Sequence, residues 1–331
     1  MKRRAFVTGS LAVLARARAD GAQTPTEHRR IGYLGSGHPD DRFSPRFKYL
    51  FEAFGDGLRE AGYIDGQNVT ILWKFAEQRY ERLPQLAAEL VGANVAAIFA
   101  TTDHAATGAR QATDAVPIVF NQVDDPVASR FAVSLSHPGG NMTGFTQAGP
   151  PLTGKRLSLL KEAVPRLSRI AVLRNPTGTV HVKHLTAAQA AARALALDHK
   201  AFDSRGPDDF EPVFLAMAKD RAEAVLLIPD TTFYIGREHL AALALRHRLA
   251  IIGTLAEQPR AGMLMGYGPV LSDGWRRAGV LVGKILNGAR PRDIPIQEPS
   301  IFELVINLKT AHALGLTIPE SLLVRADEII K

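Results

Sequence analysis

Residues 95–126 read VAAIFATTDHAATGARQATDAVPIVFNQVDDP, and this stretch decides the fold. An apolar run (Val95–Ala100) is followed by an Ala-rich segment at helical spacing (Ala105–Thr113) and a second apolar run (Val116–Phe120). Short continuous apolar runs separated by a helix describe strands buried on both faces of a parallel sheet, joined by a right-handed crossover. Working outward, the same unit recurs. RIGYLG (30–35) and NVTILW (68–73) are strands, with helices over Phe47–Ala61 and Tyr80–Val91. A second series begins after Gly139-Gly140. Its predicted strands are Arg169–Leu173, Ala224–Ile228, Ala250–Gly253 and Met263–Tyr267, and its helices Thr153–Val164, His184–Leu197 and Thr232–His247. The tail predicts a helix over Ser272–Leu286, a strand over Phe302–Ile306, and short helices over Thr310–Leu314 and Glu320–Ile330. The fold class is therefore α/β, with two doubly wound parallel-sheet lobes joined by several crossover strands.

The first 24 residues, MKRRAFVTGSLAVLARARADGAQT, have the cationic start, short apolar run and Ala17-Arg18-Ala19 site of a secretory signal peptide. The apolar run from Ala5 to Ala15 is too short for a membrane span, which needs about 20 residues. Arg3-Arg4 admits either the general or the twin-arginine export route. The whole chain of 331 residues carries 40 Lys+Arg against 33 Asp+Glu, but five of the basic residues lie in this leader. The remainder is close to neutral and has no basic block resembling a nucleic-acid footprint. Cysteine is absent, which excludes disulfides, thiolate metal sites, a Cys nucleophile and a lipidated Cys anchor. The expectation is an exported, periplasmic, unanchored monomer.

In open α/β sheets ligands bind beyond the carboxyl ends of the strands. Those ends carry Ser36, then Thr101, Thr102 and Asp103, then Asp125 in the first series. The second series offers Asn175, Asp230, Thr231, Glu257 and Tyr267. At any one position such a residue is better explained by capping the next helix. Their recurrence in both series favours a ligand cleft between two lobes.

Catalytic and cofactor motifs fail on inspection. Gly35-Ser36-Gly37 lacks the third glycine of a dinucleotide loop, whose place is taken by Asp40. Residues 149–155 approach a phosphate loop, but Arg156 stands where a Mg²⁺-binding hydroxyl belongs and two prolines remove amide donors. No serine-hydrolase elbow or HExxH motif is present. His181 and His184 share helical spacing without a third ligand and read as solvated histidines, so neither metal nor cofactor is expected. Asp124 and Asp125, being adjacent, point in different directions, one as a cap and one towards ligand.

Several blocks then resemble one family. They are RIGYLGSG (30–37), FGDGLREAGYIDGQNV (54–69), AEQRYERLPQLAAELV (76–91), DDPVAS (124–129), HPGGNMTGF (137–145), LTGKRLSLLKEAVPRLSRIAVLRNP (152–176), MGYGP (265–269) and the run 302–330. Together they are similar to the ABC-transporter substrate-binding proteins of the tryptophan/tyrosine type, related in fold to type I periplasmic binding proteins. The likeness covers Arg30 to Lys331. It implies a non-enzymatic protein that closes on a small polar, amino-acid-like ligand and presents it to a membrane permease. It also implies one lobe of 30–145 plus 269–300 and another of 146–268 plus 301–331. Asp125-Pro126, Asn175-Pro176, Pro229-Asp230, Glu257 and Tyr267-Gly268 fall on family positions.

Thr101-Thr102-Asp103-His104 departs from the pattern, since relatives often carry small residues there, suited to a carboxylate. An Asp at that place repels a carboxylate and attracts an ammonium. With Asp230 opposite, the expected cleft is electronegative and favours a cationic amine over a free aromatic amino acid. Two other classes stay open on the residues alone. One is a periplasmic sensor; the other is an enzyme using Asp103, His104 or Asp125 as acid or base.

Overall fold

The computed structural model describes residues 28–147, 149–177 and 181–331. The leader, residues 1–24, lies outside these. In chain order the first lobe runs β1 (Arg29–Gly35), α1 (Lys48–Glu60), β2 (Val69–Phe75), α2 (Leu83–Gly92), β3 (Ala97–Ala100), α3 (Asp103–Ala112), β4 (Ile118–Val123) and β5 (Met142–Thr146). These strands form one parallel sheet in the order β2-β1-β3-β4-β5.

The second lobe continues with α4 (Pro151–Ala163), β6 (Arg169–Arg174), α5 (His181–Ala194), β7 (Asp198–Asp203), α6 (Phe210–Lys219), β8 (Ala224–Leu227), α7 (Thr231–Ile235), α8 (Arg237–Arg246), β9 (Ala250–Gly253), α9 (Glu257–Arg260) and β10 (Met265–Pro269). The chain then gives α10 (Leu271–Leu286), β11 (Phe302–Asn307), α11 (Leu308–Ala313), α12 (Glu320–Leu323) and β12 (Glu328–Ile330). The second sheet has the order β12-β11-β10-β9-β8-β6-β7, parallel except where β11 runs against β10.

Apolar side chains cover both faces of each sheet. In the first lobe Phe54, Phe99 and Leu58 fill one face and Leu34, Ile98 and Phe120 the other. In the second, Val172, Leu226 and Ile252 oppose Leu173, Val225 and Ile251. Each such fully buried side chain contributes about 1.5–3 kcal/mol, which is why the apolar runs were readable as strands.

α10 returns from the second lobe to lie on α1 in the first. Two glycines permit that approach. A Cβ on Gly57 would sit 1.8 Å from the Arg276 carbonyl oxygen, and one on Gly279 would sit 2.3 Å from that of Phe54. Gln297, after α10, bridges β5 through its N–H to Gly144 O (3.0 Å) and its carbonyl to Thr146 N–H (2.9 Å). The chain thus crosses between lobes before α4, before α10 and before β11.

Two sequence expectations are corrected, and β7 is a strand that the sequence reading did not predict. Glu320–Ile330 is not one helix: α12 stops at Leu323, and β12 pairs with β11 because Ile329 and Ile330 add to the sheet edge. Thr232–His247 breaks into α7 and α8 at Gly236, which lies against the Phe210 ring. β7, sequence DHKAFD, is a strand without an apolar run, because it sits at a solvated edge. Among the described residues no helix is long and apolar enough to cross a membrane.

Candidate functional site

The carboxyl ends of β1, β3 and β4 face those of β8, β9 and β10 across a cavity of about 160 Å³. On the first-lobe side, Ser36 Oγ is 2.9 Å from Thr102 Oγ1, tying the ends of β1 and β3 together. Thr102 also caps α3 by accepting the Ala105 N–H. This turns the next residue, Asp103, into the cavity. Its Oδ2 accepts the Asp124 N–H at 3.3 Å. Burial pushes the Asp103 carboxyl up to about 6, helped by the charges of Asp124 and Asp125 and opposed by the Asp124 N–H and by His181. His104 stacks on Tyr80 at 4.1 Å between ring centroids, and burial lowers its pKa.

Behind this polar edge the first lobe presents an aromatic wall. Tyr33 lies 4.8–6.0 Å from the rings of Trp73, Phe75, Phe51 and Trp275. Tyr33, Phe47, Phe51, Phe75 and Trp275 all line the cavity.

The second lobe supplies fixed polar groups. Asp230 caps α7 through the Thr232 N–H at 2.8 Å, and its Oδ2 is 3.4 Å from His181 Nε2. Burial pushes the Asp230 carboxyl up, but His181 and the Thr232 N–H outweigh it and hold the group below its ordinary value. His184 bridges Thr153 Oγ1 (2.7 Å) and Asp124 Oδ1 (3.0 Å), so this contact joins the lobes. Arg156, on α4, is buried with its Nε donating to Tyr267 O (2.7 Å) and its Nη2 to Thr254 O (3.1 Å).

Further contacts join the two lobes beside the cavity. Tyr49 donates to Glu257 Oε1 at 2.7 Å and stands 3.3 Å from the Tyr234 hydroxyl. Lys183 pairs with Asp125, and Arg46 reaches the Ile235 carbonyl and Glu238.

Of the residues singled out in sequence, Ser36, Thr101, Thr102, Asp103, Asp230 and Thr231 line the cavity. Asp125, Asn175, Glu257 and Tyr267 do not. Asp125 caps its own loop through the Ala128 N–H and holds Lys183. Asn175 turns back on Thr177 at 2.8 and 3.1 Å. Glu257 is engaged by Tyr49, and Tyr267 offers its carbonyl to Arg156 while its ring stacks on Phe302.

His181 and His184 are not solvated, each being only 1% exposed. Of the adjacent pair expected to give one cap and one ligand contact, Asp125 is the cap and Asp124 points into the lobe interface, bonded to His184. Among the described residues no group of three or more His, Cys, Asp or Glu side chains is placed to hold a metal. Sequence reasoning missed the aromatic wall, whose members are spread from Tyr33 to Trp275, and Arg156, which was noticed only as the residue spoiling a phosphate loop. Its position in the first turns of α4, just after the lobe crossing, was the available signal.

Comparison with known proteins follows the same lines. A Tyrosine-binding protein of Clostridioides difficile is 25% identical over 267 residues, covering 80% of this chain and 76% of that protein. A conserved domain protein of Vibrio cholerae superposes with a TM-score of 0.83 at 25% identity, over 91% of this chain and 99% of that one. An ABC domain from Streptococcus pneumonia in complex with L-Trp gives 0.83 at 24% identity, over 92% and 100%. The model of the ABC transporter substrate binding protein family matches residues 45–330, and the chain belongs to that family.

Proposed function

We propose that this protein captures an amino acid with an aromatic or large apolar side chain in the interlobe cavity and presents it to an inner-membrane ABC permease from the periplasm, as an unanchored monomer. One observation carries the reading: the cavity joins a wall of five aromatic residues (Tyr33, Phe47, Phe51, Phe75 and Trp275) to charged groups from both lobes. Apolar walls with a few placed polar groups suit a ligand of the same mixed character. The tyrosine and L-Trp relatives support an aromatic ligand.

Residues 30–145 with 269–300 would move as one body and 146–268 with 301–331 as the other. Ligand contacts shared between them would stabilise the closed arrangement that Tyr49–Glu257 and Asp124–His184 already hold. The ligand contacts we assign are Ser36, Thr101, Thr102, Asp103, Asp230 and Thr231, while Asp125, Asn175, Glu257 and Tyr267 act from behind.

Thermal unfolding and calorimetry with the proteinogenic amino acids test the proposal. Stabilisation by tryptophan, tyrosine or phenylalanine, with serine and glutamate inert, is the expected result. A preference for small polar amino acids or sugars would overturn it. Recovery of unchanged ligand after prolonged incubation is expected of a carrier; a product would point instead to catalysis by Asp103 or His104.

A further inference from the structure

Among the described residues, Arg156 is the one arginine or lysine of the second lobe that lines the cavity, and it is buried without a counter-ion. It is 3% exposed, and Asp124, the carboxylate whose charge reaches it, is bonded to His184. Two of its three nitrogens are spent on the carbonyls of Thr254, just past β9, and Tyr267, within β10. These bonds fix the plane of the guanidinium. Nη1 is buried with no hydrogen-bond partner. His181, three residues ahead of His184 on α5, also lines the cavity; its Nε2 lies 3.4 Å from Asp230 Oδ2, and its Nδ1 has no hydrogen-bond partner. An ion taken out of water without a partner is costly, and buried N–H groups left unpaired add to that cost. Burial pushes the guanidinium down only to about 10, so it stays charged at neutral pH.

We propose that Arg156 reads an anionic group on the ligand, with His181 beside it, while Asp103 takes an ammonium, so that the cavity selects zwitterions. This rests on the amino-acid reading above and sharpens it. It also reverses the sequence expectation of a purely electronegative cleft. Asp230 is engaged by the α7 cap and by His181, whereas Asp103 spends one oxygen on the Asp124 N–H and lines the cavity with the other uncommitted; Asp41, which also lines it, accepts the His38 N–H with one oxygen. The planar guanidinium fork matches a carboxylate better than an ammonium from lysine would. The competing account is that Arg156 merely ties β9 to β10.

Calorimetry on the full chain separates the two. The probes are L-tryptophan and L-tyrosine, their decarboxylated forms tryptamine and tyramine, and their deaminated forms indole-3-propionate and 4-hydroxyphenylpropionate. For the wild type, loss of the carboxylate should weaken binding at least about 100-fold and loss of the ammonium about 10-fold or more. Arg156→Met should shrink the gap between amino acid and amine to a few fold, and Arg156→Lys should restore part of it. Amines binding the wild type within about 3-fold of the amino acids would overturn the proposal. So would a folded Arg156→Met that kept the full gap. If Arg156→Met does not fold, the wild-type series decides alone.

If none of the six binds, the aromatic-ligand reading fails, and the anion claim passes to a thermal-shift panel of organic carboxylates and neutral sugars. Stabilisation by carboxylates supports it; stabilisation by sugars alone overturns it.

Discussion

The two halves of the cavity are built on the same α/β plan and do opposite work. The first lobe gives a cluster of aromatic rings in mutual contact, Tyr33 at its centre. The second gives groups locked by hydrogen bonds to backbone, Arg156 on two carbonyls and Asp230 on an N–H. Apolar burial is non-directional and roughly proportional to area, so under the proposed function the aromatic half should set affinity and tolerate changes in ligand shape. Fixed charges in a buried site are directional and strong, so under the proposed function the polar half should set which chemical class is admitted. Asp103 and Asp41 are the exceptions, carboxyl groups on the aromatic side.

Phe51→Ala should break the comparison most severely. Phe51 touches Tyr33, Trp73, Phe75 and Trp275 and is itself only partly buried, so its loss opens the wall without emptying the core. The expected loss for an aromatic anchor is about 2–3 kcal/mol, or roughly 30–150-fold in Kd by calorimetry. A change of only a few fold would place the ligand's apolar part elsewhere.

Asp103 gives the next largest effect, and a pH signature. Its carboxyl is raised to about 6 by burial, from an ordinary 3.8. Between those values the folded protein holds a proton that the unfolded chain has released. The group therefore favours folding at low pH, and that contribution is lost as pH rises through about 6. An ammonium binds the ionised form, so affinity should rise from pH 5 to 7 with proton release on binding, seen as a buffer dependence of the calorimetric heat. Asp103→Asn should flatten this profile, raise the melting temperature at pH 7 and weaken an amino acid by about 10-fold. A profile equally steep in the variant would exclude Asp103 as the titrating group.

Lys183→Ala should have the smallest effect. The Lys183–Asp125 pair crosses between the lobes, but its side chains are 49% and 38% exposed. Exposed pairs contribute up to about 1 kcal/mol, so Kd should move less than about 5-fold and the effect should fade in high salt. A loss comparable to that of Phe51→Ala would mean that the rim, and not the cavity walls, governs closure.

The sequence by itself determined the layers. Apolar runs such as 95–100 and 169–173 become strands wherever a helix can cover them, and that follows from burial alone. It also brought Ser36, Thr101, Thr102, Asp103, Asp230 and Thr231 to strand ends, because position after a strand is a local property. Only the tertiary structure decided which of those ends share a cavity. Asn175 and Asp125 have the right sequence position but turn into their own loops. Tyr33, Phe51 and Trp275 form one wall because the glycine-mediated contact of α1 with α10 returns residue 275 to a lobe it left more than a hundred residues earlier. The meaning of Arg156 is likewise non-local. A basic residue in a helix is ordinarily solvated, and it becomes a buried, half-satisfied cation only because β9 and β10 present two carbonyls to it from about a hundred residues away in the chain.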